Sequence, residues 1–161
     1  MYRDHTCNEL RKADEGKRVK LAGWVAKRRN LGSIVFIDLR DRYGITQITF
    51  DENHADLVKD VRNEFVIQIE GTVAVKQTLN PKLETGDIEV LADSCRILSA
   101  AKTTPMIIAD ETDALEDLRL KYRYLDIRRN PIKEKLLVRD KVATIAFFSK
   151  GDWSGATLQK H

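Results

Sequence analysis

The chain has 161 residues, 42% of them hydrophobic and 33% charged, with a net charge of +3. That length suits one ordinary domain with an appendage, and the composition excludes wholesale disorder and collagen-like repeats. No apolar run approaches the roughly 18–20 residues that span a bilayer, and the opening MYRDHTCNELRK has no signal-peptide core, so no membrane partner and a cytoplasmic location are expected.

In chain order, Thr6 and Glu9 have capping-box spacing and Gly16 can terminate a helix, which predicts a short helix over about Cys7–Glu15. Val19, Leu21 and Val25 alternate as a first strand, and Asn30, Leu31 and Gly32 break it like a hairpin. Ser33–Arg40 and Ile45–Phe50 follow as second and third strands around the turn Asp41–Gly44. Over His54–Asn63 the period changes: Leu57 and Val61, with Val58 beside them, predict a short helix. Phe65, Ile67 and Ile69 resume alternation in a fourth strand, bent at Gly71 before Val73 and Val75. Asn80-Pro81 and Gly86 mark a loop, and Ile88 and Val90 begin a fifth strand.

Three strands, a helix and two strands is the order of the five-stranded Greek-key barrel called the OB-fold. The expected fold class is therefore mainly β: an OB barrel over residues 17–98, an N-terminal helix over 1–16 and a C-terminal helical extension. Residues 99–130 read as a linker or hinge, because Ser99–Asp117 lacks periodicity, although LRLKYRYLDIRR is helical in composition. Pro131 suits the first turn of a further helix in 131–161.

Charge is segregated. Residues 25–50 carry +3, residues 51–116 carry −8 and residues 117–141 carry +5. A basic face of this kind can meet phosphate or can simply be solvated. Strand parity adds chemistry. Val35, Ile37 and Leu39 share one face of the second strand, and Ile34, Phe36, Asp38 and Arg40 share the other. In the third strand Ile48 and Phe50 oppose Gln47 and Thr49. Phe36 and Gln47 can then sit side by side within a rim of Lys27, Arg28 and Arg29. The ring would stack an unpaired base, the amide would read its edge, and the cations would hold phosphates. A lone Phe on a strand can equally be core, and Trp24 is expected to pack. Cys7 and Cys95 are far apart without CxxC spacing, so reduced thiols are expected, with no disulfide framework and no metal site.

The stretch GWVAKRRNLGSIVFIDLRDRYGITQITF, followed by NEFVIQIEGTV, TGDIEVLA and RLKYRYLDIRR, closely resembles bacterial aspartyl-tRNA synthetases from about Met1 to Thr144. Asparaginyl and lysyl enzymes share the barrel but lack the combination of FIDLRDRYGITQ and YRYLDIRR. The resemblance implies a barrel that grips the anticodon loop of tRNA(Asp), attached to a class II catalytic domain. That domain uses ATP and Mg²⁺, and the full-length enzyme is a homodimer. It implies that Phe36 stacks on the middle anticodon base, a uracil, and that Gln47 hydrogen-bonds it. Arg29 and Glu89 match positions that help read the neighbouring bases. Asn80 falls in the loop that closes over the anticodon. Leu31 resembles the form that charges tRNA(Asp) alone.

The class II motifs do not occur in these residues, and the sequence from about Ala146, AFFSKGDWSGATLQKH, departs from the family pattern. The expectation is an anticodon-binding portion with no catalytic residue and no cofactor of its own, or alternatively a free-standing OB module for single strands. Residues 149–161 are expected to be poorly ordered, and the apolar residues Leu136, Leu137, Ile145, Phe147 and Phe148 to lack a partner.

Overall fold

The computed structural model describes residues 2–81 and 83–149, with the side chains of the last helix described to 147. The expectation about residues 149–161 therefore lies outside the described residues, save the backbone of Ser149. Two compact units make up the chain, Met1–Thr104 and Pro105–His161.

In the first unit, β1 (Arg18–Asn30), β2 (Val35–Arg40), β3 (Ile45–Phe50), β4 (Val66–Val75) and β5 (Ile88–Ser99) close into a barrel, ordered β1-β2-β3-β5-β4. β1 pairs antiparallel with β2 and β4, and β4 with β5, while β3 meets β5 in a short parallel contact. This is the expected OB-fold. Alternation explains why these segments are strands: Val19, Leu21, Val25, Val35, Ile37, Leu39, Ile48, Phe50, Ile67, Ile69, Ile88 and Val90 all point into one buried core. Gly71 sits where the β4–β5 register shifts, and a Cβ there would come within 2.3 Å of the Leu91 carbonyl oxygen. The bend expected at this glycine is thus a close approach of two backbones.

Two predicted helices are shorter than their sequence patterns suggested. Residues 7–9 form turns, and only Lys12–Asp14 make a 3-10 turn. Half of the Thr6–Glu9 box forms, with the Thr6 N–H donating to the Glu9 carboxylate at 3.0 Å. No α-helix forms here, because the Cys7 carbonyl accepts the Thr46 hydroxyl at 2.6 Å, while the Arg11 N–H donates to Asp14. The bond that would have continued the helix, from Arg11 to Cys7, thus has both ends engaged elsewhere. The segment instead anchors to the barrel, since Asp41 accepts from the Cys7 N–H and from Arg3. Between β3 and β4 only Ala55–Val58 are helical, again as a 3-10 turn. Val58 and Val61, three residues apart, are buried, whereas Leu57 is 46% exposed. Val61 lies beyond the turn, so the α-helical face read from Leu57 and Val61 does not form.

The second unit holds α1 (Glu116–Lys121), α2 (Arg123–Asp126) and α3 (Asn130–Ser149). Its centre is Asp126, whose fully buried carboxylate accepts from Arg119, Arg123 and Arg129 at 3.1, 2.7 and 2.7 Å. Arg129 also donates to the carbonyls of Ala109 and Asp110, tying the incoming chain to α2. Burial alone would raise the Asp126 carboxyl, but hydrogen bonds and charge from Arg129 and Arg119 outweigh it and leave it below the ordinary carboxylate range. The Asp110 carboxylate caps α3 by accepting from the backbone and side-chain N–H groups of Asn130, and Pro131 lies in the first turn. Along α3, Leu136, Leu137, Ile145 and Phe147 are exposed.

Candidate nucleic-acid interface

The site lies on the outer face of β1, β2 and β3 and is completed by β5. β2 carries Phe36 and Asp38 outward, as parity requires, with Phe36 only partly buried. On β3, Gln47 and Thr49 share that face. The register pairs Phe36 with Thr49 and Asp38 with Gln47. Phe36 and Gln47 are therefore diagonal neighbours on one face, not direct partners, about 7–8 Å apart by ordinary sheet geometry.

Arg29 reaches this face through a bulge. β1 and β2 pair Val25 with Leu39, and then Lys27 with Asp38, so one extra residue intervenes. Strict alternation from the buried Val25 would have turned Lys27 and Arg29 inward and Arg28 outward. The bulge reverses that. Arg29 now pairs with Phe36, and Arg28 pairs with the core residue Ile37. The Arg29 guanidinium stands 5.7 Å from the Phe36 ring centroid, donates to Asp38 at 2.8 Å and makes a long contact of 3.5 Å with the Gln47 carbonyl oxygen. Of the basic rim, Lys27 and Arg29 are exposed on this side. Arg28 is half-buried, and its Nε has no hydrogen-bond partner among the described residues.

Glu89 arrives from β5. The parallel contact pairs Thr49 with Leu91, which sets Glu89 beside Gln47. The Glu89 carboxylate accepts from the Gln47 amide nitrogen at 3.2 Å and from the Thr49 hydroxyl. The remaining two expected residues lie at the margins. Leu31 is 73% exposed in the β1–β2 hairpin, where the Asn30 side chain accepts from the Gly32 N–H. Asn80 lies in the β4–β5 loop, its N–H bonded to the Gly86 carbonyl at 2.9 Å. Gly86 is required there, because a Cβ would fall 1.7 Å from the Asn80 carbonyl oxygen.

Sequence reasoning passed over Lys76. It is only 8% exposed at the end of β4, next to the Ala74–Glu89 pair. Burial pushes its ammonium below the ordinary lysine range, and the charges of Glu89 and Asp38 oppose that shift. The signal was available as parity, since Lys76 continues the outward set of Thr72 and Ala74. Its burial was not legible from parity. Asp38 and Thr49 were recognised as outward residues without a role, and both turn out to hold the readers in place.

The face offers an aromatic ring, an amide with donor and acceptor, a carboxylate and flanking cations on an open surface. That set suits an unpaired nucleobase and its phosphates. Among the described residues, no three His, Cys, Asp or Glu side chains gather as a metal site, and no helix is long and apolar enough to cross a membrane. Both cysteines are free thiols, and burial raises each, Cys95 to about 11, so neither is a ready nucleophile.

Residues 19–98 match the family model described as the OB-fold nucleic acid binding domain. The chain is 52% identical over 148 residues to an aspartate–tRNA ligase of Flavobacterium psychrophilum, covering 89% of this chain and 25% of the relative. It is 47% identical over 146 residues to the aspartate–tRNA ligase of Bacteroides thetaiotaomicron, covering 88% and 25%. Among solved structures, the asparaginyl-tRNA synthetase of Pyrococcus horikoshii superposes with a TM-score of 0.75 at 26% identity, over 91% of this chain and 34% of that one. The chain thus spans about a quarter of the length of the curated relatives it matches. With its closed five-stranded barrel and its level of identity, it is a homologue of that quarter of the aspartate–tRNA ligases, and its barrel is an OB-fold nucleic acid binding domain.

Proposed function

We propose that the barrel binds the anticodon loop of tRNA(Asp), as the anticodon-binding portion of an aspartate–tRNA ligase. The observation that carries this reading is the outer face itself. Phe36, Arg29, Gln47 and Glu89 are gathered within hydrogen-bond or ring contact on the barrel of a chain that is half identical to such ligases over 148 residues.

The Phe36 ring stacks the middle anticodon base, and Gln47 pairs with its edge. Arg29 and Glu89 serve the neighbouring bases, Lys27 and Arg28 supply positive charge for phosphates, and Leu31 and Asn80 border the loop from the two ends of the face. In the whole enzyme this grip would position a tRNA for ATP-dependent ligation of L-aspartate in a cytoplasmic homodimer. The activity proposed for this chain itself is binding. Purified protein is expected to show no aspartate-dependent pyrophosphate exchange, and exchange intrinsic to the chain would contradict that.

The decisive test compares the anticodon stem-loop of tRNA(Asp) with stem-loops of altered anticodon and with an unrelated single strand. Preference for the cognate loop supports the reading. Equal binding to all of them indicates a generic single-strand module, and no salt-dependent RNA binding rejects both.

A further inference from the structure

A glutamine alone is a poor judge between uracil and cytosine. Its amide offers one acceptor and one donor side by side, and a half-turn about the last torsion exchanges them. Uracil presents a carbonyl acceptor next to a ring N–H donor. Cytosine presents an amino donor next to a bare ring nitrogen. One orientation of the amide suits the first and the reverse orientation suits the second. Discrimination therefore requires something that prevents the half-turn.

The structure contains such a restraint. The Gln47 carbonyl oxygen faces Arg29, a side chain that can only donate, at 3.5 Å. The Gln47 amide nitrogen faces Glu89, a carboxylate that can only accept, at 3.2 Å. Reversing the amide would set nitrogen against guanidinium and oxygen against carboxylate, so both contacts would turn repulsive. Glu89 is itself held by the Thr49 hydroxyl, and Arg29 by Asp38 at 2.8 Å. Gln47 still keeps one amide hydrogen and one lone pair free for a base.

We propose that Arg29 and Glu89, steadied by Asp38 and Thr49, are positioning residues that lock the Gln47 amide in one orientation and thereby choose between a keto and an amino pyrimidine. This rests on the reading that the middle anticodon base lies at Gln47. It assigns Glu89 a role that acts through Gln47, in addition to any contact with a neighbouring base.

The test is a double-mutant cycle read as the ratio of affinities for two anticodon stem-loops, with uracil or cytosine in the middle. Glu89→Gln replaces the acceptor-only partner by an amide that tolerates either orientation of Gln47. The uracil-to-cytosine ratio is expected to fall about tenfold, mainly through better binding of the cytosine loop, as loss of one enforced hydrogen-bond pattern implies. In a Gln47→Ala background, Glu89→Gln is expected to leave the ratio unchanged. Thr49→Val, which keeps the shape and removes the hydroxyl, is expected to lower the ratio less, and melting temperatures on the same samples show that each variant is folded. A ratio unaffected by Glu89→Gln overturns the lock. So does an effect that persists without Gln47, which would mean that Glu89 meets the RNA directly. A wild-type chain that binds RNA without distinguishing the two loops overturns the underlying reading instead, and that arm is measured first.

Discussion

Arginines meet carboxylates in both units of this chain, and the two clusters do opposite things. Around Asp126 three arginines converge on one fully buried carboxylate, and Arg129 also donates to two backbone carbonyls. On the barrel face, exposed Arg29 is shared between Asp38, a long contact to Gln47 and the Phe36 ring. The first cluster is built around a carboxylate shut off from water, so it holds helices together. The second is open, and its contacts can be exchanged for those of a ligand at little cost. Burial separates a structural ion cluster from a recognition surface here, since both are built from the same residue types.

The largest expected effect that sharpens this contrast is at Asp126. Asp126→Asn leaves buried Arg129 without its counter-charge and is expected to destabilise the second unit by about 3 kcal/mol, the low end for a broken buried pair, because Arg123 still reaches water. Hydrogen exchange should speed up in α1–α3 and stay unchanged in the barrel. The same cluster is acid-sensitive in a defined direction. The folded carboxyl titrates below its unfolded value of about 3.9, so its contribution is present above that pH and is lost as pH falls through the folded value. Helical signal lost in that window, with the barrel intact, is the expected result.

Next in size is Phe36→Ala, expected to weaken stem-loop binding by about 1–3 kcal/mol whatever the middle base, as loss of a stacking platform does. Its ring is only partly buried, so stability should fall by less than binding does. Unchanged affinity per folded molecule would return Phe36 to a packing role.

The smallest effects compare two neighbouring cations. Lys27 is exposed on the binding side, and Arg28 is half-buried with the inward parity of Ile37. Lys27→Ala is expected to flatten the dependence of log affinity on log salt by about 0.7, the value for one phosphate contact on a single strand. Arg28→Ala should flatten it less. An equal change for both would mean that the bulge does not separate them.

Much of the barrel was legible because alternation of apolar and polar residues is a local property. Val35, Ile37, Leu39, Ile48 and Phe50 announced the inward face, and with it Phe36 and Gln47 on the outer one. The helix before β1 was overestimated because local spacing cannot show a distant competitor. The Thr46 hydroxyl on the Cys7 carbonyl is such a competitor, 39 positions away.

What the sequence by itself determined, then, is the strand order, the two faces of each strand and the kinship with aspartate–tRNA ligases, since each follows from residue identity and short-range period. Tertiary structure alone decided how the readers meet. The bulge after Val25 turns Arg29 towards Phe36, and a one-residue offset in pairing leaves no trace in an otherwise regular alternation. The parallel contact of β3 with β5 brings Glu89 to Gln47 from 42 positions away, because closing a barrel joins strands that are not consecutive. Lys76 is likewise buried just past the end of β4, where parity alone would leave its side chain in water.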